Sequence, residues 1–251
     1  MPTSPIALHT LFEVLAYTIG FRLFLRERRR LALSALNEPD RGVAIGVGAI
    51  VGAALGAKLA FWFDDPAAAF AHFPDWRHLL EGKSIVGALL GGLIGVELAK
   101  RMAGIRTSSG DAFVRPLAVG MMIGRVGCFL AGLSDHTYGN PTHLPWAVDF
   151  GDGIGRHPTQ VYEIGFLIAW LACLEAITPR LSCVGDRFRL FMAGYLLFRL
   201  CVDAIKPVPH AWLFGLSGIQ LLCVAGLAYY LPQLPRIARG FRSPRSTVQG
   251  I

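Results

Sequence analysis

The chain has 251 residues, of which 53% are apolar and only 16% charged, with a formal net charge of +7. That balance excludes an ordinary soluble domain, in which about a quarter of the residues carry charge. The positive excess does not indicate nucleic acid, because Lys and Arg gather in alternate loops, the pattern of a membrane protein with a basic cytoplasmic side.

Several apolar runs approach or exceed the ~20 residues that a helix needs to cross hydrocarbon. Most lack the polar face of a soluble amphipathic helix. The first, residues 6–25, holds Glu13, Tyr17 and Arg22, and a basic segment follows to Arg41. No basic region precedes this run, so no cleavable signal peptide is expected. The second, 42–63, is rich in Gly and Ala and carries Lys58. Its small residues permit close helix packing. An acidic and aromatic loop leads to the third run, 84–99, with Gly87, Gly91, Gly92, Gly95 and Glu97. After a basic turn, Ser108-Ser109-Gly110-Asp111 reads as the N-cap of the fourth run, 111–133, which contains Arg115 and Arg125. A polar, glycine-rich insert occupies about 133–157, too long for an ordinary connector. The fifth run is 159–177; the sixth, 190–205, holds Tyr195, Arg199 and Asp203; the seventh, 212–232, holds Gln220. Between the last two, Lys206-Pro207-Val208-Pro209-His210 reads as a stiff turn, and a basic tail closes the chain at about 236–251.

These features predict an all-α polytopic membrane protein with about seven transmembrane helices, forming one domain over residues 1–251. One set of alternate loops carries roughly fifteen basic residues and the other roughly four. The N-terminus and the insert are therefore expected outside, and the C-terminus inside. Cys128, Cys173, Cys201 and Cys223 fall in apolar runs and there is no C-x-x-C, so neither a zinc site nor a disulfide framework is indicated.

An ionisable residue within a spanning helix costs a few kcal/mol and usually faces the bundle interior for a purpose. Arg125, Glu163, Arg199 and Asp203 are the candidates. Arg199 and Asp203 stand at i, i+4 and could simply neutralise one another. Arg125 has no carboxylate on its own helix face and needs Glu163, Asp111, Asp203 or a lipid phosphate. Arginine suits phosphate because its planar fork donates two parallel hydrogen bonds and keeps its charge. Lys58, Glu97 and Arg22 read as interface residues, and Glu13 is deep enough to pair with Lys58. His157, followed by Pro158 and close to Gln160, Tyr162 and Glu163, is either a capping histidine or a general base.

Taken together, these residues resemble bacterial prolipoprotein diacylglyceryl transferases over most of the chain. The family's Gly-Arg-x-Gly signature matches Gly124-Arg125-Val126-Gly127, and its His-Pro-Ser/Thr-Gln-x-Tyr-Glu motif is met by residues 157–163. Its Tyr-x-x-x-Arg-x-x-x-Glu pattern becomes Tyr195, Arg199 and Asp203, and its Gly-Gly-Leu-Ile-Gly stands at 91–95. The departures are Leu90 where the family has His, Cys128 and Ala131 where it has Asn, and Glu13 at the place of a first-helix Tyr. Asp135, His136, Asp149 and Asp152 add polar groups to the insert.

The resemblance implies a transferase of the bacterial inner membrane, partnered by membrane lipids. It would move the diacylglyceryl group of phosphatidylglycerol to the lipobox cysteine of a prolipoprotein signal peptide. Arg125 and Arg199 would neutralise the phosphate, His157 (with His136 second) would take the thiol proton, and Glu163 and Asp203 would orient the arginines. Asp111, Gly139, Gln160, Tyr162 and Tyr195 would contact substrate. No cofactor and no metal are implied. The alternatives are another acceptor or lipid on the same scaffold, or a lipid-binding protein without chemistry.

Overall fold

The computed structural model describes residues 5–31, 39–71 and 82–240. Its helices are α1 (Pro5–Arg30), α2 (Pro39–Asp64), the short α3 (Pro66–Phe70), α4 (Ile85–Met102), α5 (Val114–Ala131), α6 (Thr159–Ile177), α7 (Asp186–Asp203), α8 (Gly218–Tyr230) and α9 (Leu234–Gly240). Strands β1 (Val148–Asp149) and β2 (Gly155–Arg156) form a small antiparallel ribbon within the polar stretch between α5 and α6. The all-α class is borne out. Four stretches are long and apolar enough to cross a membrane: Ala7–Arg30, Asp40–Asp64, Gly110–Asp135 and Thr159–Arg180. Most of the expected basic tail lies outside the described residues.

Two helix pairs are set by glycine. Gly48, Gly52 and Gly56 of α2 meet Gly87, Gly91 and Gly95 of α4 so closely that a Cβ on any of them would collide with the facing backbone. Small residues at this spacing let helix backbones touch where no hydrophobic force drives association. The outward face of α2 is left to Val43, Ile50, Leu55 and Leu59, all more than half exposed, as a lipid-facing surface requires. The second pair is α1 with α5, which approach at Gly127: a Cβ there would stand 2.6 Å from Phe12 Cβ.

The remaining core joins α4, α5, α6, α7 and α8 through Val86, Ala118, Leu167, Leu174, Phe191, Leu196 and Cys223. At one end, Arg115 of α5 donates to Glu27 of α1 at 2.7 Å and bidentately to Glu175 of α6 at 2.7 and 2.6 Å, and Glu175 also pairs with Arg187 of α7. This ties four helices at the end remote from the polar insert. The predicted seventh run is not one helix. Trp212 N donates to Leu216 O around a 3-10 turn, and α8 begins only after Ser217 and Gln220 form a reciprocal capping box. Pro232 then ends the regular helix in a second 3-10 turn.

Candidate active site

The centre of the site is one carboxylate. Glu163 lies on the first turns of α6, almost wholly buried. Its Oε2 is 2.9 Å from Arg125 Nε on α5 and accepts from Arg199 Nη1 on α7 at 3.2 Å. Its Oε1 accepts from the Tyr195 hydroxyl at 2.8 Å. Asp203 accepts from Arg199 Nη2 at 2.7 Å, so the i, i+4 pair exists, but as one edge of a larger network. Arg125, Tyr195, Arg199 and Asp203 are all buried. Of the partners open to Arg125 in the sequence, Glu163 is the one present.

The network keeps donors in reserve. Arg199 Nε is buried without a hydrogen bond, and Arg125 Nε, though close to Glu163, is out of line for one. Arg125 Nη1 reaches only the Cys128 sulfur, at 3.8 Å. Two arginines against two carboxylates balance in charge, and Lys206, half-buried one turn past Asp203, adds a positive charge. Burial and the neighbouring Arg199 and Arg125 pull the Lys206 ammonium down to about 8. Lys206 was hidden in the sequence by the prolines that follow it. Its spacing from Asp203 and Arg199 was the signal that could have found it.

The other expected site residues separate into three groups. His157 Nδ1 is 3.1 Å from the Tyr162 hydroxyl, which accepts from Trp146 Nε1 at 2.8 Å. This triad sits in the polar cap, and among the described residues no hydrogen bond or ion pair joins it to the Arg125–Glu163–Arg199 network. Gln160 is buried and donates to Thr137 Oγ1 at 3.1 Å. Gly139 packs under His157: its N–H donates to His157 O at 2.9 Å, and a Cβ would stand 2.7 Å from His157 Cβ. His136 is exposed in a left-handed conformation, φ +52°, at the end of a 3-10 turn.

Asp111 is not brought to the site. It sits beyond the far end of α5 and accepts from Gly185 N at 2.7 Å and Phe188 N at 2.9 Å, capping α7. Asp149 and Asp152 are absorbed by their own loop: Asp149 Oδ1 accepts from Gly151, Asp152 and Gly153 N–H groups, and Asp152 pairs with Arg156. The Arg156 guanidinium holds the Asp152 carboxyl below its usual range. Glu13 pairs with Lys83 rather than with Lys58, whose ammonium donates to Gly82 O at 2.8 Å.

An apolar groove of about 1010 Å³ runs along α2 and α4, from Met102 to Phe63, and is closed by Leu222 of α8. Leu90 lines it, while Arg125 and Arg199 do not. Leu90, at the place of the family histidine, also packs against the core beside Gly226 of α8.

Comparison with known proteins agrees with this architecture. The family profile described as prolipoprotein diacylglyceryl transferase matches residues 1–232. The phosphatidylglycerol–prolipoprotein diacylglyceryl transferase of Bordetella parapertussis is 33% identical over 249 residues, covering 91% of this chain and 92% of that protein. Proteins of the same name from Methylococcus capsulatus and Nitratidesulfovibrio vulgaris are 32% and 34% identical, covering 84% of this chain in each case. On the breadth of these matches, with the paired arginines held on one buried glutamate, the chain belongs to the prolipoprotein diacylglyceryl transferase family.

Proposed function

We propose that the protein transfers the diacylglyceryl group of phosphatidylglycerol to the cysteine thiol of a prolipoprotein, releasing glycerol phosphate. The observation that carries this reading is the convergence of Arg125 and Arg199 on Glu163 Oε2 with guanidinium donors left unspent. A lipid phosphate arriving there finds charge-assisted donors already aimed and buried. Stabilising the negative charge that grows on the departing phosphate is the main catalytic effect such a site supplies. Glu163, Tyr195 and Asp203 hold the arginines. The Tyr162 hydroxyl holds His157 Nδ1, leaving Nε2 to receive the thiol proton.

In this reading the chain is a single seven-span domain of the bacterial inner membrane, with its N-terminus and polar cap outside and its C-terminus inside. The basic loops support that orientation. Signal peptide and phospholipid would both enter from the bilayer.

The test is transfer of label from radiolabelled phosphatidylglycerol to a lipobox peptide by the purified protein. Arg125→Ala and Arg199→Ala should each lower the rate by about 10²–10³-fold, the usual cost of losing one electrostatic stabiliser. His157→Ala should lower it by ~10²-fold or more. Unlabelled peptide with the wild-type protein overturns the reaction, and full labelling by the arginine variants overturns the site.

A further inference from the structure

The sequence contains no metal-binding spacing, yet the fold brings three metal-ligand side chains together beside Arg125. His9 comes from α1, Cys128 from α5 and Asp135 from the 3-10 turn after it. One donor atom from each lies within 4.8 Å of the other two. The close approach at Gly127 sets this up, since it presses α1 against α5 one residue before Cys128, with His9 O 3.5 Å from where a Cβ would stand.

His9 and Asp135 face each other at ion-pair distance without a hydrogen bond between them. His9 Nδ1 is 3.2 Å from Asp135 Oδ1, but Nδ1 is buried and makes no hydrogen bond, because the carboxylate oxygen is out of line. Donors on a tetrahedral ion with bonds of 2.0–2.2 Å stand about 3.3–3.6 Å apart along each edge, which places two atoms close without pointing one at the other. No separation in the cluster exceeds 4.8 Å. The surroundings are also those of a metal site. Asp135 Oδ2 is held by the Thr137 hydroxyl, which accepts in turn from Gln160, so the carboxylate is fixed with Oδ1 turned towards His9. Hydrogen-bonded ligands of this kind are the usual outer shell of a protein metal centre. Arg125 Nη1 lies 3.8 Å from the Cys128 sulfur, so the cluster borders the arginine network directly.

We propose that His9, Cys128 and Asp135 form a binding site for a zinc-class divalent cation, with a fourth coordination position open. Three protein ligands with one position left for an exchangeable group is the arrangement of catalytic rather than structural zinc. Thiolate, imidazole and carboxylate select such an ion over magnesium or calcium, which take oxygen donors. Resting on the transferase reading above, the open position receives the acceptor thiol. Its S–H bond breaks as sulfur binds the ion, and the proton passes to His157. The sulfur pair then forms the bond to the glyceryl carbon as the carbon–oxygen bond to phosphate breaks, its electrons leaving on glycerol phosphate. The ion would thus deliver the nucleophile already ionised, with His157 as the proton's destination.

The full chain, purified without a polyhistidine tag and stripped with chelator, is titrated with cobalt(II), followed by zinc competition. One cobalt per chain, with a thiolate-to-cobalt charge-transfer band that zinc abolishes, supports the site. His9→Ala and Asp135→Asn should weaken binding by at least ~10-fold. Cys128→Ser should lose the charge-transfer band, and Cys128→His, which keeps a donor, should retain cobalt without that band. Absence of cobalt binding, or an unchanged band in Cys128→Ser, overturns the site. Peptide labelling is measured on the same samples. Labelling that persists in metal-free protein overturns the cation's role while leaving the transferase reading intact. Cobalt binding with no labelling of any peptide overturns that reading while the site stands.

Discussion

Glu163 bears on the two arginines at once, and its removal should be felt in stability before chemistry. Glu163→Gln keeps the shape but leaves Arg125 and Arg199 buried with one carboxylate between them. Breaking a buried ion pair from one side costs about 3–5 kcal/mol. The variant should therefore unfold at clearly lower temperature in a detergent thermal-shift assay, whereas Asp149→Asn, whose carboxylate serves only its own loop, should change little. Lys206 gives a pH signature. Its ammonium is charged below about 8 and neutral above, so phosphate affinity should fall as pH rises through that value. The same lowering, from 10.5, means that the folded chain gains stability as pH climbs from about 8 towards 10.5, where only the unfolded chain still binds the proton. Lys206→Met should flatten a binding curve measured with a soluble glycerol phosphate ester. At this scale the sequence was legible wherever a charge had no business in an apolar run, as with Arg125, Glu163 and Arg199. It misled where a carboxylate could satisfy nearby backbone: Asp111 looks like a substrate residue in a string of letters and is a cap in space. Cys128 looked like packing because its partners, His9 and Asp135, come from other elements.

The helices themselves were legible because apolar runs and their polar breaks are local. The positions of α2, α4, α5 and α6 follow the predicted runs closely. What the sequence could not show is how far a run stays helical: α7 starts several residues early because Asp111 caps it, and α8 starts late because Ser217 and Gln220 form the box that opens it. The glycine seam between α2 and α4 gives a graded prediction. Gly52→Ala puts a methyl into the Gly91 carbonyl, whereas a Cβ on Gly92 meets only ordinary contact, at 3.5 Å from Ala53 Cβ. Gly52→Ala should cost on the order of 1–3 kcal/mol, as overpacking does. Gly92→Ala should be near neutral. Thermal unfolding of the two variants side by side separates a packing seam from a stretch that merely tolerates small residues.

For the molecule as a whole, the charge bias sets an orientation that can be read with thiol chemistry. Cys183 is exposed in the loop that precedes α7, on the side of the Arg115–Glu175 clamp. In intact cells it should resist a membrane-impermeant maleimide and react only after permeabilisation, whereas a cysteine placed at Thr142 in the polar cap should react at once. The reverse pattern would invert the proposed topology. The single Glu163 oxygen that carries both guanidinium groups has one more consequence. In the proposed reaction a phosphate ester would take up the donors that Glu163 leaves unspent, and the carboxylate would keep both arginines in place when glycerol phosphate departs. The anion site would then stand assembled between turnovers, and no flood of solvent into the bilayer core would be needed to rebuild it for the next substrate.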